Sequence, residues 1–309
     1  MSQPSDALAA HSLSLPPELA TVRDFVRWGA SAFVRRGLVF AHGTDNALDE
    51  SFHLTLWALK LPPDVPAIYL EATLTQPERA LVWRLLNERL NSRKPAAYLM
   101  GEIQFCGLPF TIDERVLIPR SPIGEMIGKH FQPWLTVEPR RILDLCAGSG
   151  CIGIACAYAF PQAEVDLAEL DTGALQVAKS NILRHRCHPQ VRAYESDLFA
   201  GLPAEARYEL VVSNPPYVPT AEVDALEAEF RHEPRLALEA GEDGMEIVAR
   251  LLAEVPQVLT DDGLLVCEIG GSQEEFLARF PHLPVAWPDF ERGGDGVFVI
   301  NRRALVAWL

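Results

Sequence analysis

The stretch Arg141-Ile142-Leu143-Asp144-Leu145-Cys146-Ala147-Gly148-Ser149-Gly150 sets the reading of this chain. An apolar strand over Arg141–Leu145 runs into small residues and a glycine pair, and a helix follows. Glycines at that point permit a tight turn and a close backbone approach to a ligand beside a helix N-terminus. The uncharged run Leu145–Ala163 is nineteen residues long, enough to raise the question of a membrane span. It contains Gly148, Gly150, Gly153 and Pro161 and follows Asp144 directly, so a strand, a loop and a buried helix account for it better. Further strand signals lie at Glu164–Leu170, Gln190–Tyr194, Tyr208–Ser213 and Gly263–Ile269, with helical stretches such as Asp171–Arg184 and Met245–Val258 between them. Val285–Trp287 and Val297–Asn301 read as a closing hairpin. Alternating strand and helix predicts an α/β fold with a mostly parallel, doubly wound sheet.

Upstream the pattern is helical. Thr21–Arg36 places Val22, Phe25, Val26, Ala30 and Phe33 at helical spacing; Asn46–Lys60 opens on a cap candidate; Gln76–Ser92 carries Pro77 in its first turn. Lys94-Pro95 breaks this pattern, and Leu99–Cys106, Gly107 and Leu108–Ile112 suggest a hairpin turning near Gly107. The expected organisation is a helical domain over 1–94, a hairpin linker over 95–120 and the α/β domain over 121–309.

Composition bounds the function. Of 309 residues 49% are apolar and 22% charged, which excludes bulk disorder. There are 27 Lys and Arg against 42 Asp and Glu, a formal charge of −15. A body this acidic repels a phosphate backbone, so nonspecific nucleic-acid binding is not expected, and a basic protein partner suits it better. Met1–Pro16 has neither Lys or Arg nor a long apolar core, unlike a secretory signal. The six cysteines form no CxxC pair, and Cys187 with His185 and His188 lacks structural zinc spacing. The expectation is a reduced, cytoplasmic protein without membrane or metal.

Gly148-x-Gly150-x-x-Gly153 matches a nucleotide-binding fingerprint, and Glu169, twenty-one residues past Gly148, ends the next strand, where a carboxylate can accept both ribose hydroxyls. The glycines alone do not choose between NAD and S-adenosylmethionine. Asp144 before the turn can face a cationic methionine ammonium, whereas a pyrophosphate would be repelled there. In Ser196-Asp197-Leu198-Phe199, after the third strand, Asp197 can take an adenine amino group or serve as a helix cap.

Asn214-Pro215-Pro216-Tyr217 follows the apolar strand Leu210-Val211-Val212-Ser213 directly. Two prolines stiffen the loop and remove two N–H donors, leaving carbonyls free. A planar –NH₂ has two hydrogens: the Asn214 side-chain oxygen can accept one, the Pro215 carbonyl the other, and Tyr217 can pack on the planar face. An amide nitrogen is a poor nucleophile because its lone pair is delocalised. Two aligned acceptors favour pyramidalisation as a methyl arrives from sulfonium, and the proton leaves afterwards. Such chemistry requires no histidine or metal. A proline-rich surface turn is the plain alternative.

Asp144–Gly150, Asn214–Tyr217 and Leu117-Ile118-Pro119-Arg120 together resemble the protein glutamine methyltransferases, over a span from Ala41 to Asn301. The resemblance implies a class I, Rossmann-like, seven-stranded doubly wound sheet behind a helical N-terminal domain, for substrate recognition, and a β-hairpin linker. It implies S-adenosyl-L-methionine as cofactor, S-adenosyl-L-homocysteine as product, and a glutamine side-chain amide as methyl acceptor. The expected cofactor contacts are Asp144, Cys146, Ala147, Gly148, Ser149, Gly150, Glu169, Asp197, Leu198 and Asn214; the amide falls to Asn214, Pro215, Pro216 and Tyr217. Pro119 and Arg120 are candidates for the substrate side, with a structural ion pair the alternative for Arg120. Two departures stand out: Glu169 where the family often has Asp, and Cys146 in place of the first glycine of the general methyltransferase pattern.

The family has two branches. One modifies the GGQ glutamine of peptide chain release factors and usually reads Pro-Arg-Pro-Glu/Asp-Thr-Glu where this chain has Pro119-Arg120-Ser121-Pro122-Ile123-Gly124-Glu125. This segment, like Ala41-His42-Gly43-Thr44-Asp45-Asn46, is similar to the other branch, which methylates large-subunit ribosomal protein L-three. An acidic enzyme suits a basic ribosomal protein presented before assembly. Three rival functions fit the motifs less well. DNA adenine methyltransferases share the tetrapeptide chemistry but are expected to show a basic face and a base-flipping domain. An NAD oxidoreductase leaves Asn214–Tyr217 unexplained, and a non-catalytic assembly module leaves both motifs so.

Overall fold

The computed structural model describes residues 14–291 and 293–309, which fall into two compact units. The first runs to Gly101 and includes Glu227–His232; the second comprises Glu102–Leu226 and Glu233–Leu309.

The first unit is built from α1 (Val22–Arg36), α2 (Ala47–Ala58), α3 (Gln76–Ser92) and the short α4 (Ala96–Met100). The first three start where the sequence places them, though α2 ends at Ala58, short of Lys60. Thr21 and Asp24 close a capping box on α1, Asn46 caps α2 through the Asp49 N–H, and Thr75 with Glu78 boxes α3 ahead of Pro77. Phe25, Phe33, Leu54, Val82 and Leu86 are buried between these helices. Arg89 is also fully buried: Nε donates to Glu50 Oε1 at 2.7 Å, Nη2 to the Val39 carbonyl at 3.0 Å and Nη1 to the Arg93 carbonyl at 3.0 Å. A buried guanidinium persists because each such donor finds an acceptor.

The second unit opens with a hairpin, β1 (Glu102–Phe105) and β2 (Leu108–Thr111). Its turn residues Cys106 and Gly107 both have positive φ, 51° and 75°, the twist that suits a two-residue hairpin loop. The hairpin starts later than the sequence suggests. Leu99 and Met100 belong to α4, where Pro95 starts a new helical turn by accepting the Tyr98 N–H.

After α5 (Ile123–Gly128) come β3 (Arg141–Leu145), α6 (Cys151–Ala159), β4 (Glu164–Glu169), α7 (Thr172–His185), β5 (Val191–Glu195), β6 (Tyr208–Ser213), α8 (Thr220–Val223), α9 (Glu246–Glu254), β7 (Leu259–Glu268), α10 (Gln273–Arg279), β8 (Val297–Asn301) and α11 (Arg302–Trp308). The strands form one sheet in the order β5-β4-β3-β6-β7-β8, parallel except for β8. Alternation along each strand feeds two cores. Ile142, Val165, Leu210 and Val266 pack with α5, α6 and α7; Leu143, Leu145, Val211 and Leu265 pack with α9, α10 and α11. This is the expected doubly wound α/β class.

Six strands are continuous, and the seventh expected strand contracts to one antiparallel bridge, Ala286 to Val299, with both N–H···O bonds made at 2.9 and 2.8 Å. The cause is in the sequence. Extending that ladder in either direction would require an N–H from the residue two positions away, and those residues are Pro284 and Pro288. Among the described residues no helix is long and apolar enough to cross a membrane, and no group of three or more His, Cys, Asp or Glu is placed to hold a metal ion.

Candidate active site

Chain order reverses between β3 and β6, and in open α/β sheets the crevice at that point, beyond the carboxyl ends of the strands, receives ligands. A cavity of about 210 Å³ lies there, walled by the loops after β3, β4, β5 and β6 and by residues 115–121.

The loop after β3 makes its turns at Cys146, Gly148 and Gly150, with φ of 57°, 54° and 76°. Cys146 thus adopts the left-handed backbone of the glycine it replaces, a conformation uncommon for a side chain of its kind. Cys146, Ala147, Gly148 and Ser149 line the cavity; Gly150 lies behind them as the N-cap of α6. The loop is tethered by Glu169 at the end of β4: its Oε2 accepts the Gly148 N–H at 2.7 Å and its Oε1 the Asp171 N–H at 2.8 Å. Glu169 faces the cavity from a buried position, and burial raises its carboxyl above the usual range against the pull of those two N–H groups.

Asp144 sits elsewhere than at the cavity wall. It is buried under the loop, where Oδ2 accepts the Gly153 N–H at 2.7 Å, so it satisfies one open donor in the first turn of α6. Burial pushes its carboxyl up to about 7, with the Glu169 charge adding to the effect. A Cβ on Gly153 would come within 2.2 Å of Leu167 Cδ2 and 3.0 Å of Asp144, so this glycine lets α6 lie against the sheet. Asp197 and Leu198 line the opposite side. Asp197 is half exposed and pairs with Arg250 at 2.9 Å. Ser196, which the sequence reading passed over, shapes this turn: its hydroxyl donates to the Leu198 carbonyl at 2.6 Å and accepts the Gly201 N–H at 2.9 Å.

β6 delivers the tetrapeptide. Ser213 lies opposite Leu145 in the ladder, and its hydroxyl donates to the Leu145 carbonyl at 2.9 Å, so the loops after β3 and β6 leave the sheet side by side. Asn214 and Pro216 line the cavity, Pro215 is buried behind them, and the Tyr217 ring packs against Gly270. A Cβ on Gly270 would sit 2.7–2.9 Å from that ring, so glycine is required there. The Tyr217 carbonyl accepts the Ser272 hydroxyl at 3.2 Å. Burial and the nearby Glu268 charge hold the Tyr217 phenol well above its ordinary pKa.

Pro119, Arg120 and Ser121 also line the cavity. Arg120 makes the structural ion pair: it lines the cavity while clamped by Glu233, Nη1 to Oε1 at 2.6 Å and Nη2 to Oε2 at 2.9 Å. Glu233 Oε1 also accepts the Ile118 N–H at 3.0 Å. Ser121 donates to the buried carboxylate of Glu268, which burial pushes up to about 7. Ser121, Glu233 and Glu268 were not among the sequence candidates. Their partners lie 113 and 147 residues away in the chain, and no local pattern marks them.

Residues 128–262 match the family described as the methyltransferase small domain. Among solved structures, a methyltransferase from Pyrococcus furiosus superposes with a TM-score of 0.45 at 18% identity, covering 63% of this chain and 89% of that one. Two relatives, both ribosomal protein uL3 glutamine methyltransferases, come from Xylella fastidiosa. The protein of strain 9a5c is 46% identical over 291 residues, and that of strain Temecula1 45% identical over 291 residues; each alignment spans 94% of this chain and 93% of the relative. Identity at this level over nearly the whole of both chains means that the chain belongs to the ribosomal protein uL3 glutamine methyltransferase family.

Proposed function

We propose that this protein transfers a methyl group from S-adenosyl-L-methionine to the side-chain amide nitrogen of a glutamine in ribosomal protein uL3, leaving S-adenosyl-L-homocysteine. The observation that carries the reading is the Leu145–Ser213 pairing, because it opens the glycine loop and the Asn214 loop onto one cavity.

The residues present suit the cofactor. Glu169, Asp171 and Asp197 line the cavity beside the glycine loop. Carboxylates there favour hydroxyl and amine donors and oppose a diphosphate, which argues against a dinucleotide. In this reading Glu169 accepts the ribose hydroxyls, the Asp197-Leu198 turn receives the adenine, and Cys146–Gly150 receive the methionine portion. Asp144 acts from beneath by fixing the loop to α6. When bound, S-adenosylmethionine supplies an electrophilic methyl on a sulfonium.

The chain's own residues then prepare the nucleophile. Asn214 Oδ1 and the Pro215 carbonyl each accept one hydrogen of the glutamine –NH₂, so the nitrogen lone pair is turned toward the methyl and out of conjugation. Pro216 stiffens the loop. Tyr217, seated on Gly270, holds its far end. Pro119 and Arg120 lie on the substrate side, with Glu233 fixing the guanidinium. The departing proton needs no dedicated base, because an amide nitrogen that has gained a methyl while keeping both its hydrogens is cationic and strongly acidic, and loses one of them.

Charge supports a basic protein substrate. Of the chain's −15, the second unit carries −14, from 16 Lys and Arg against 30 Asp and Glu. Such a field attracts a ribosomal protein before assembly and repels duplex DNA. We read the helical segment 1–94 as a substrate-recognition element, 95–120 as the linker and 121–309 as the catalytic domain, and we place the reaction in the cytoplasm. A peptide chain release factor is the alternative substrate.

The test is tritiated methyl transfer from S-adenosylmethionine, offered separately to free uL3, a release factor and duplex DNA. Label on uL3 that disappears when its target glutamine is replaced is the expected result. Label on the release factor alone would move the chain to the sister activity, and label on DNA alone would refute the charge argument.

A further inference from the structure

Asn181, on α7, is fully buried, and its side-chain amide joins two elements of the second unit that are remote in sequence. Its Oδ1 accepts the Thr111 N–H at 2.9 Å and its Nδ2 donates to the Thr111 carbonyl at 3.0 Å. One side chain thus pairs with the edge of β2 as a neighbouring strand would. The second Nδ2 hydrogen goes to the Ser149 carbonyl at 2.9 Å, in the middle of the glycine loop. An amide has only two N–H donors, so Asn181 has committed both.

The hairpin is seated on the same helix by two further residues. Arg184 donates to Thr111 Oγ1 at 2.9 Å and pairs with Glu102; His185 Nε2 contacts the Pro109 carbonyl at 3.0 Å, and its ring meets that of Phe110 at 4.8 Å. Beyond β2 the chain continues into Arg115, Pro119, Arg120 and Ser121 of the cavity wall. The substrate-side wall and the glycine loop therefore share one anchor.

We infer that Asn181 is a positioning residue that couples the seating of the β1–β2 hairpin to the shape of the glycine loop, so that loosening the hairpin weakens cofactor binding. The inference rests on the cavity being the S-adenosylmethionine site. Asn181→Ala removes all three bonds. Asn181→Asp keeps the acceptor for Thr111 but turns a carboxylate oxygen toward two carbonyls. Arg184→Ala loosens the hairpin without touching the loop.

The experiment measures S-adenosylhomocysteine dissociation constants by calorimetry and steady-state kinetics on the full chain. Both Asn181 variants should raise the dissociation constant and the KM for S-adenosylmethionine about tenfold, with kcat at saturating cofactor within about twofold of wild type. A merely structural defect would instead lower the active fraction, and hence kcat, at unchanged KM. Arg184→Ala should raise the dissociation constant about threefold on its own and add nothing in the Asn181→Ala background. A folded Asn181→Ala protein with wild-type affinity would overturn the inference. So would an Arg184→Ala protein with unchanged affinity, an arm that decides the matter even if the Asn181 variants do not fold. A wild-type chain that binds no S-adenosylhomocysteine would remove the reading of the cavity and this inference with it; binding that all variants leave unchanged removes the inference alone.

Discussion

Glu169 Oε2 accepts the Gly148 N–H at 2.7 Å, so the acidic residue at the end of β4 holds the glycine loop that follows β3. One carboxylate has two tasks. It fixes the loop through Gly148 and Asp171, and it keeps lone pairs that can take ribose hydroxyls.

Replacing Glu169 by Ala removes both tasks, and affinity for S-adenosylhomocysteine should fall about a hundredfold, about 2.7 kcal/mol. Glu169→Gln keeps acceptor capacity on one oxygen only and should lose about tenfold. Calorimetry on the two proteins checks this, and an unchanged dissociation constant in Glu169→Ala would refute the ribose role.

Asn214→Ala leaves the glycine loop, Glu169 and Asp197 in place. Methyl transfer should drop by about a thousandfold or more while cofactor affinity changes only modestly, because one of two acceptors that orient the nucleophile is gone. Full activity in this variant would sink the mechanism.

Glu233 is a buried anion clamped to Arg120 at 2.6 and 2.9 Å. Glu233→Ala removes two charge-assisted bonds from a partly buried guanidinium and the acceptor of the Ile118 N–H, so unfolding free energy should fall by about 3 kcal/mol. Glu233→Gln, which can still accept both hydrogen bonds at Oε1, should recover part of that loss. Denaturant titrations of the three proteins distinguish these outcomes.

Glu268 makes stability depend on pH in an unusual direction. Its carboxyl is pushed from the ordinary value near 4.5 up to about 7 by burial. A group raised in the folded state contributes its full stabilisation below its unfolded pKa and loses it as pH climbs through the folded one. Glu268→Gln, neutral throughout and still able to accept from Ser121, should therefore match wild type near pH 4. It should be the more stable protein at pH 8, by up to about 3 kcal/mol. Thermal melts across pH 4 to 8 would show the two curves diverging; parallel curves would contradict the assignment.

Much of the fold is legible in the sequence because it is locally encoded. Arg141–Leu145 and Tyr208–Ser213 are apolar runs that end at a glycine loop and a proline pair, and the observed strands have those same bounds. Gln76–Ser92 is marked by Thr75, Pro77 and Glu78 within one helical turn, and α3 spans it without change. Glu169 is legible from its spacing to Gly148, since a βαβ unit of fixed size brings the second strand's end beside the first loop. The missing seventh strand also lay in plain view, as Pro284 and Pro288 at the two positions whose N–H groups the ladder needed.

What the sequence by itself determined is thus the α/β class, the glycine loop and the Asn-Pro-Pro-Tyr loop, because each depends on residues within a few positions of one another. Tertiary structure alone decided that Asp144 bonds Gly153 beneath the loop, that Glu233 clamps Arg120, that Ser121 leans on Glu268, and that Asn181 ties Thr111 to Ser149. Most of these pairings bridge tens to more than a hundred residues and form between buried polar groups. Even the nine-residue step from Asp144 to Gly153 closes only once α6 has packed back on the sheet. Burial is what compels them: a polar atom removed from water must find whatever partner the packed chain has brought within reach.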